Sequence, residues 1–398
     1  MKLLVFLLAA VSAAAQSRQE ILGRLSEITG LAVRRPVAEK TMARAELKAY
    51  FEARIKEVVK PEEIRIEELV LRMFGFAPKD FDLKKSTIDL MAEQAAAFYD
   101  YRKKQMVLLD TAGGGDAMQE MALIHELAHA LADQHFQLER FLRKGSTSDD
   151  SAMARTAVME GQATYLMSEF MARKMGQSLK DSPMMVDMMS RTAASGGSGF
   201  PVFESVPLYM RESLVFPYSK GMLFQHKAVE KYGQRAYREV FERAPATTRE
   251  ILHPEAYFDQ VKPLPVTLPG LANSRGWKKQ AEGTAGEFDH SILVKQYAKG
   301  EGDLASKWRG GAYRLWERKK DRRAVLSYGS AWEDEKSARQ YFKAYRAVLE
   351  GKLTGCVFEL DSETDLAGKS AEGHFHARLL GSTVTSIEGL ERADDAAR

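Results

Sequence analysis

The stretch Ile124-His125-Glu126-Leu127-Ala128-His129-Ala130 decides how this chain folds and what it can do. It lies inside a long helical pattern, from about Ala117 to Leu142, introduced by the turn Gly113–Gly115 and Asp116. On an α-helix, residues four apart sit one turn apart on the same face, so the imidazoles of His125 and His129 can reach a single ion. Glu126 lies about 100° round from His125, which places its carboxylate beside the ion as a base rather than a ligand. A chance HExxH turns up on the order of once in a hundred chains of this size, so a third ligand must decide the matter.

Two residues compete for that position. His135 stands six residues after His129, but Ala132 occupies the place where that ligand spacing calls for a glycine to end the helix. On an unbroken helix His135 would sit about 240° round and about 9 Å along from His129, too far to share an ion, and a structural role is expected of it. Glu160, in Val158-Met159-Glu160-Gly161-Gln162-Ala163, follows His129 by 31 residues, enough for a second helix to return beside the first. That helix is expected over Ser151–Met175, with Gly176 as its stop. Ala157, Gly161 and Thr164 share the face of Glu160, and small side chains there predict close approach to the histidine helix. A glycine inside a helix costs roughly 1 kcal/mol against alanine, so Gly161 implies a packing need.

Two imidazoles, one carboxylate and an open fourth position describe a catalytic zinc site rather than a structural one. With Zn2+ at His125, His129 and Glu160, bound water would ionise near pH 7, and Glu126 would accept its proton and pass it to a leaving amine. The expected reaction is hydrolysis, most naturally of a peptide bond. The bland alternative is a helix with two satisfied histidines and Glu160 as a solvated carboxylate.

Outward from this segment, Lys2, the apolar run Leu3–Val11 and Ala13–Ala15 read as a signal peptide cleaved after Ala15, which places the protein outside the cytoplasm, secreted or periplasmic. Residues 17 to about 95 alternate amphipathic helical patterns with breaks at Gly30, Pro36, Pro61 and Gly75–Pro78. Ala97–Asp110 predicts a β-hairpin about the polar turn Arg102–Gln105. Pro183–Gly199 carries four methionines and a Gly/Ser run, and reads as a mobile loop, either a lid or a plain surface connection. A helix is expected over Pro217–Tyr232, and prolines 263, 265 and 269 mark a linker over 263–270. Beyond it come strands at Tyr313–Trp316, Ala324–Tyr328, Cys356–Leu360 and Gly373–Leu380, and a helix over Glu333–Leu349. The expected class is α+β: a mainly helical zincin-like domain with a small sheet over 16–262, then a smaller α+β domain over 271–398.

Composition narrows the partners. With 58 basic and 55 acidic residues the net charge is +3, without the concentrated basic patch of a nucleic-acid binder. After the leader no segment approaches the roughly 20 apolar residues of a membrane helix, so stable insertion is not expected. The single cysteine, Cys356, excludes an intrachain disulfide and reads as an inert thiol in a buried strand.

These residues resemble the gluzincin metallopeptidases, which pair HExxH with a glutamate on the following helix, and more narrowly a group of exported bacterial proteins with a peptidase-type zinc domain. The resemblance rests on Ala97–Asp100, His125–Phe136, Val158–Ala163, Phe216–Tyr218 with Gly221, and Thr247–Phe258. It covers roughly residues 20–260 and continues more weakly over Trp308–Leu349. It implies a polypeptide substrate paired along the edge of the 98–109 hairpin, and a residue that stabilises the oxyanion, for which Tyr218 is the candidate and His226 and His253 the reserves. Thermolysin-like enzymes carry an aspartate where this chain has Thr164. Asp133 either orients an imidazole in its stead or is a solvated charge. Two other functions share the same residues: a catalytically vestigial zinc domain that scaffolds a partner, and amide hydrolysis on a cell-wall or small-molecule substrate.

Overall fold

Helices build the first two thirds of the chain. The computed structural model describes residues 18–110, 116–145, 148–299 and 303–396, so the leader call at 1–15 and the turn at Gly113–Gly115 lie outside them. Helix α1 covers residues 18–29, α2 Leu47–Val58, α3 Pro61–Phe74 and α4 Leu83–Gln94. In α3 the local causes are plain: Pro61 opens the helix, Glu63 turns back to accept from the Lys60 amide at 2.9 Å, and Gly75 closes it at φ 80°.

A three-stranded sheet follows the order β1-β3-β2, with β1 at Ala38–Ala43, β2 at Ala97–Asp100 and β3 at Gln105–Asp110. β2 and β3 are the expected hairpin. β1, parallel to β3, carries one buried residue, Met42, so it lacks the alternation by which a strand is recognised. The register leaves β2 as a free edge.

The expected helix to Leu142 divides into α5 (Asp116–Phe136) and α6 (Leu138–Arg143) at Gln137, which takes φ 53°. Asp133 stabilises the break by accepting from the Leu138 amide at 2.9 Å. α7 spans Asp149–Lys174, close to expectation. The methionine-rich stretch is not a loop: α8 occupies Pro183–Ala194, with proline at its first position, and α9 follows at Pro201–Ser205. α10 runs Leu208–Tyr232 and so begins nine residues before Pro217, which sits buried within it rather than opening it. α11 (Ala236–Glu242), α12 (Thr248–Leu252) and α13 (Pro254–Phe258) close this lobe.

The C-terminal lobe is one antiparallel sheet in the order β4-β5-β6-β10-β9-β8-β7. Its strands are β4 Trp277–Gly283, β5 Trp308–Arg318, β6 Ala324–Trp332, β7 Val357–Asp361, β8 Asp365–Ser370, β9 Gly373–Leu380 and β10 Thr383–Leu390. Helices α14 (Glu287–Tyr297) and α15 (Glu335–Lys352) pack on it over a buried aromatic layer of Trp308, Tyr328, Trp332, Tyr341 and Tyr345. β7 is the outer strand and mostly exposed, so Cys356 beside it is half-buried rather than a core residue; burial pushes its thiol pKa up, which keeps it inert. The proline segment 263–270 is no free linker: the Leu264 amide donates to Arg309 O at 2.7 Å, and Gly310 leaves no room for a side chain beneath Leu264.

The lobes share one hydrophobic core. Phe74 of α3 meets Tyr313 and Tyr328 edge-on at 5.3 and 5.7 Å, and Phe216 of α10 meets Phe288 of α14 at 4.8 Å. The molecule is therefore α+β, a helical lobe with a small sheet joined to a seven-stranded one. Among the described residues no helix is long and apolar enough to cross a membrane.

Candidate metal centre

Three helices meet at the centre. α5 presents His125 and His129 from successive turns, and α7 brings Glu160 opposite them. The close helical approach forecast from Gly161 is made, but to α10 rather than to the histidine helix. A Cβ on Gly161 would fall 2.1 Å from the Gly221 backbone, and one on Gly221 would fall 2.1 Å from Ala157 O. This glycine pair brings the backbone of α10 against α7 and so sets Tyr218, one turn before Gly221, beside Glu160 and over His125, with ring centroids 6.0 Å apart.

The His125 and His129 Nε2 atoms lie 3.0 Å apart, and each is 3.2 Å from Glu160 Oε2. No assignment of ring protons makes all three contacts favourable: if both imidazoles donate to Glu160 their N–H groups face each other, and if one donates to the other, a lone pair is left facing the carboxylate. A cation shared by all three removes the conflict. Four ligands at about 2.1 Å around zinc stand about 3.4 Å from one another, close to the spacing found. The donor set of two imidazoles and one carboxylate also suits zinc. The side chains are 9–13% exposed, enough for solvent to reach them. Burial favours a neutral Glu160, but the neighbouring imidazoles, His129 foremost, outweigh it and hold the carboxyl below the usual range. For His129, burial works against protonation and the Glu160 charge overcomes it, leaving its pKa raised.

Glu126 is not a member of the triangle. Its Oε2 accepts the Tyr99 amide at 2.6 Å. The pairing of β2 with β3 explains why that amide is free. Leu109 N donates to Ala96 O, so residues 96, 98 and 100 turn their backbone groups to β3 while 97 and 99 turn theirs outward, toward α5. The Tyr99 hydroxyl donates to Asp133 Oδ2 at 2.9 Å, so one residue ties the edge strand to α5 at both Glu126 and Asp133, two turns apart. Sequence reading missed Tyr99; the hairpin register, had it been set, would have shown its amide facing away from β3.

Of the other residues singled out, Asp133 orients no imidazole. It is fully buried among Tyr99, Lys104 at 2.8 Å and the Leu138 amide. Thr164 is buried one turn beyond Glu160 with its hydroxyl unpartnered, so the support an aspartate would give there is missing. His135 binds Ala32 O at 2.8 Å and stands apart from the centre. His253 pairs with Glu287 of α14 at 2.7 Å and His226 lies beside Glu230, so neither reserve joins the site. The half-buried Tyr218 does. The charge on Glu160, then burial and Glu126, hold its phenol pKa well above 10, so it keeps its proton and can donate.

The fold and site together define an α+β protein with a candidate His/His/Glu metal centre flanked by the Glu126 carboxylate and the Tyr218 phenol. Residues 273–398, the segment that forms the seven-stranded sheet, match the family model of a domain of unknown function, DUF8575. Neither curated proteins nor solved structures yield a match.

Proposed function

We propose that this chain is an exported zinc metallopeptidase with a zincin-like helical domain. The observation that carries the reading is the convergence of His125, His129 and Glu160 on one point, with Glu126 held beside them by the outward amide of an edge strand. Zinc, when bound, supplies a Lewis acid and brings the pKa of coordinated water to about 7. Glu126 takes a proton from the attacking water; the Tyr99 amide fixes one of its oxygens and leaves the other for that task. Tyr218 donates its hydroxyl hydrogen to the carbonyl oxygen as negative charge grows there. With the Tyr99 amide held by Glu126, the outward backbone groups of Ala97 and the Tyr99 carbonyl are left to pair with an extended polypeptide, which favours flexible or unfolded substrates over folded ones.

Full-length protein prepared without chelators is expected to carry zinc near one ion per chain. Glu126→Gln should retain that zinc and lose about a hundredfold or more of its peptidase rate. A chain that folds normally and takes up no zinc overturns the reading. Zinc retained with no loss of rate on Glu126→Gln overturns the role of Glu126.

A further inference from the structure

Between the lobes lies a cavity of about 820 Å³, walled by α3, α4, α7, α10 and the first strands of the large sheet. Leu71, Phe74, Leu90 and Met153 give it apolar sides. Its charged lining residues are all acidic: besides Glu62, which pairs with Arg65 and Arg322, and Glu63, they are the three carboxylates Glu67, Asp149 and Asp289, and no lysine, arginine or histidine lines it. Among the described residues none of the three forms an ion pair. Asp149 accepts from the Tyr313 hydroxyl and Asp289 from Tyr209, so two phenols fix carboxylates that no cation balances. Asp289 is buried, and that burial, with the charge of Asp149 adding to it, raises its carboxyl above the usual range; Glu67 and Asp149 are exposed at the cavity wall, and partial loss of solvent there raises theirs as well.

The cavity and the candidate metal centre draw on one face of α7. Asp149, Met153, Thr156 and Glu160 follow one another at helical spacing along one face of α7, and on α10 the lining residue Pro217 precedes Tyr218. Asp149 and Glu160 are eleven residues apart, so about 16 Å of helix separates the acidic end of the cavity from the metal ligand. Extended polypeptide advances about 3.3 Å per residue, and a lysine or arginine stem reaches several ångströms further.

We infer that this cavity is a substrate subsite that takes a basic side chain, its alkyl stem against the apolar walls and its cationic head among Glu67, Asp149 and Asp289, about three to five residues from the cleaved bond. The inference rests on the peptidase reading and names the substrate class: flexible polypeptide carrying lysine or arginine at that distance.

The probes are pairs of short peptides, one with a single lysine and the other with its neutral analogue norleucine, stepped along the chain. Zinc-loaded protein should cleave the lysine peptide with kcat/KM about tenfold above its norleucine partner when the spacing is right. In the Glu67→Gln/Asp149→Asn variant, which changes two solvent-reached carboxylates to amides of the same shape, that ratio should fall toward one. Equal cleavage at every spacing, or a ratio that survives the double variant, overturns the subsite. Should no peptide be cleaved, the peptidase reading fails separately. Fluorescence anisotropy of the same peptides on Glu126→Gln protein then judges the cavity alone: a lysine preference lost in the added double variant supports it, and equal binding overturns it.

Discussion

At the scale of single residues, the centre depends on two that carry no chemistry. Gly161 and Gly221 let α7 and α10 touch backbone to backbone, and that contact aligns Glu160 with Tyr218. The need for Gly161 was legible, because a glycine inside a helix otherwise only costs stability. Its partner was not, since a small face says that something approaches without saying what. Gly161→Ala would place a methyl group 2.1 Å from the Gly221 backbone, an overlap that side-chain rotation cannot relieve. We expect it to destabilise the fold by roughly 2–4 kcal/mol and to lower zinc affinity, because the helix carrying Glu160 must shift. Urea unfolding and zinc titration measure the two effects; a fully stable alanine variant with unchanged zinc affinity would show that the helices are further apart. That His125, His129 and Glu160 would come together was legible because helix geometry fixes a four-residue spacing without tertiary help, and because 31 residues let a helix with a small-residue face return beside the first.

At the scale of elements, boundaries set by long-range contacts were the ones misread. Composition gives no reason for α5 to stop at Phe136; the helix ends because Asp133 takes the Leu138 amide while also holding Tyr99 and Lys104. The same aspartate that reads as an orienting group for histidine is thus the post to which the edge strand is tied. β1 escaped notice because its polar face is exposed, and α8 because a run of methionine, glycine and serine masks a helix opened by Pro183. Asp133→Ala would leave a partly exposed lysine, a phenol and a buried amide without their acceptor, a loss of roughly 1–3 kcal/mol. Because Tyr99 also holds Glu126, the proposed peptidase function predicts that activity of the surviving folded fraction drops while zinc content stays near wild type. Zinc lost in step with activity would argue instead that Asp133 supports the ligands.

At the scale of the whole molecule, the proline segment marks a boundary between two lobes that share a core and meet around a buried polar junction. Asp150 of α7 sits there, accepting the Thr248 amide at 3.0 Å and its hydroxyl at 2.5 Å, while Thr248 Oγ1 accepts from the Phe288 amide of α14. Gly286 is needed beside it, since a Cβ there would overlap the carboxyl. Burial first, and then the charge of Asp289, push the Asp150 carboxyl up to about 8. An unfolded chain releases that proton near pH 4. Between about pH 4 and 8 the native state therefore holds more protons at this site than the unfolded state does. The contribution of Asp150 to stability falls as pH rises, by up to about 1.4 kcal/mol per pH unit. Asp150→Asn mimics the protonated acid and removes the dependence, so its stability relative to wild type should climb steadily from pH 5 to 8 in urea titrations. Parallel curves across that range would mean that Asp150 is already ionised in the native junction, with a cation or solvent reaching it that the packing of α7, α12 and α14 leaves no room for.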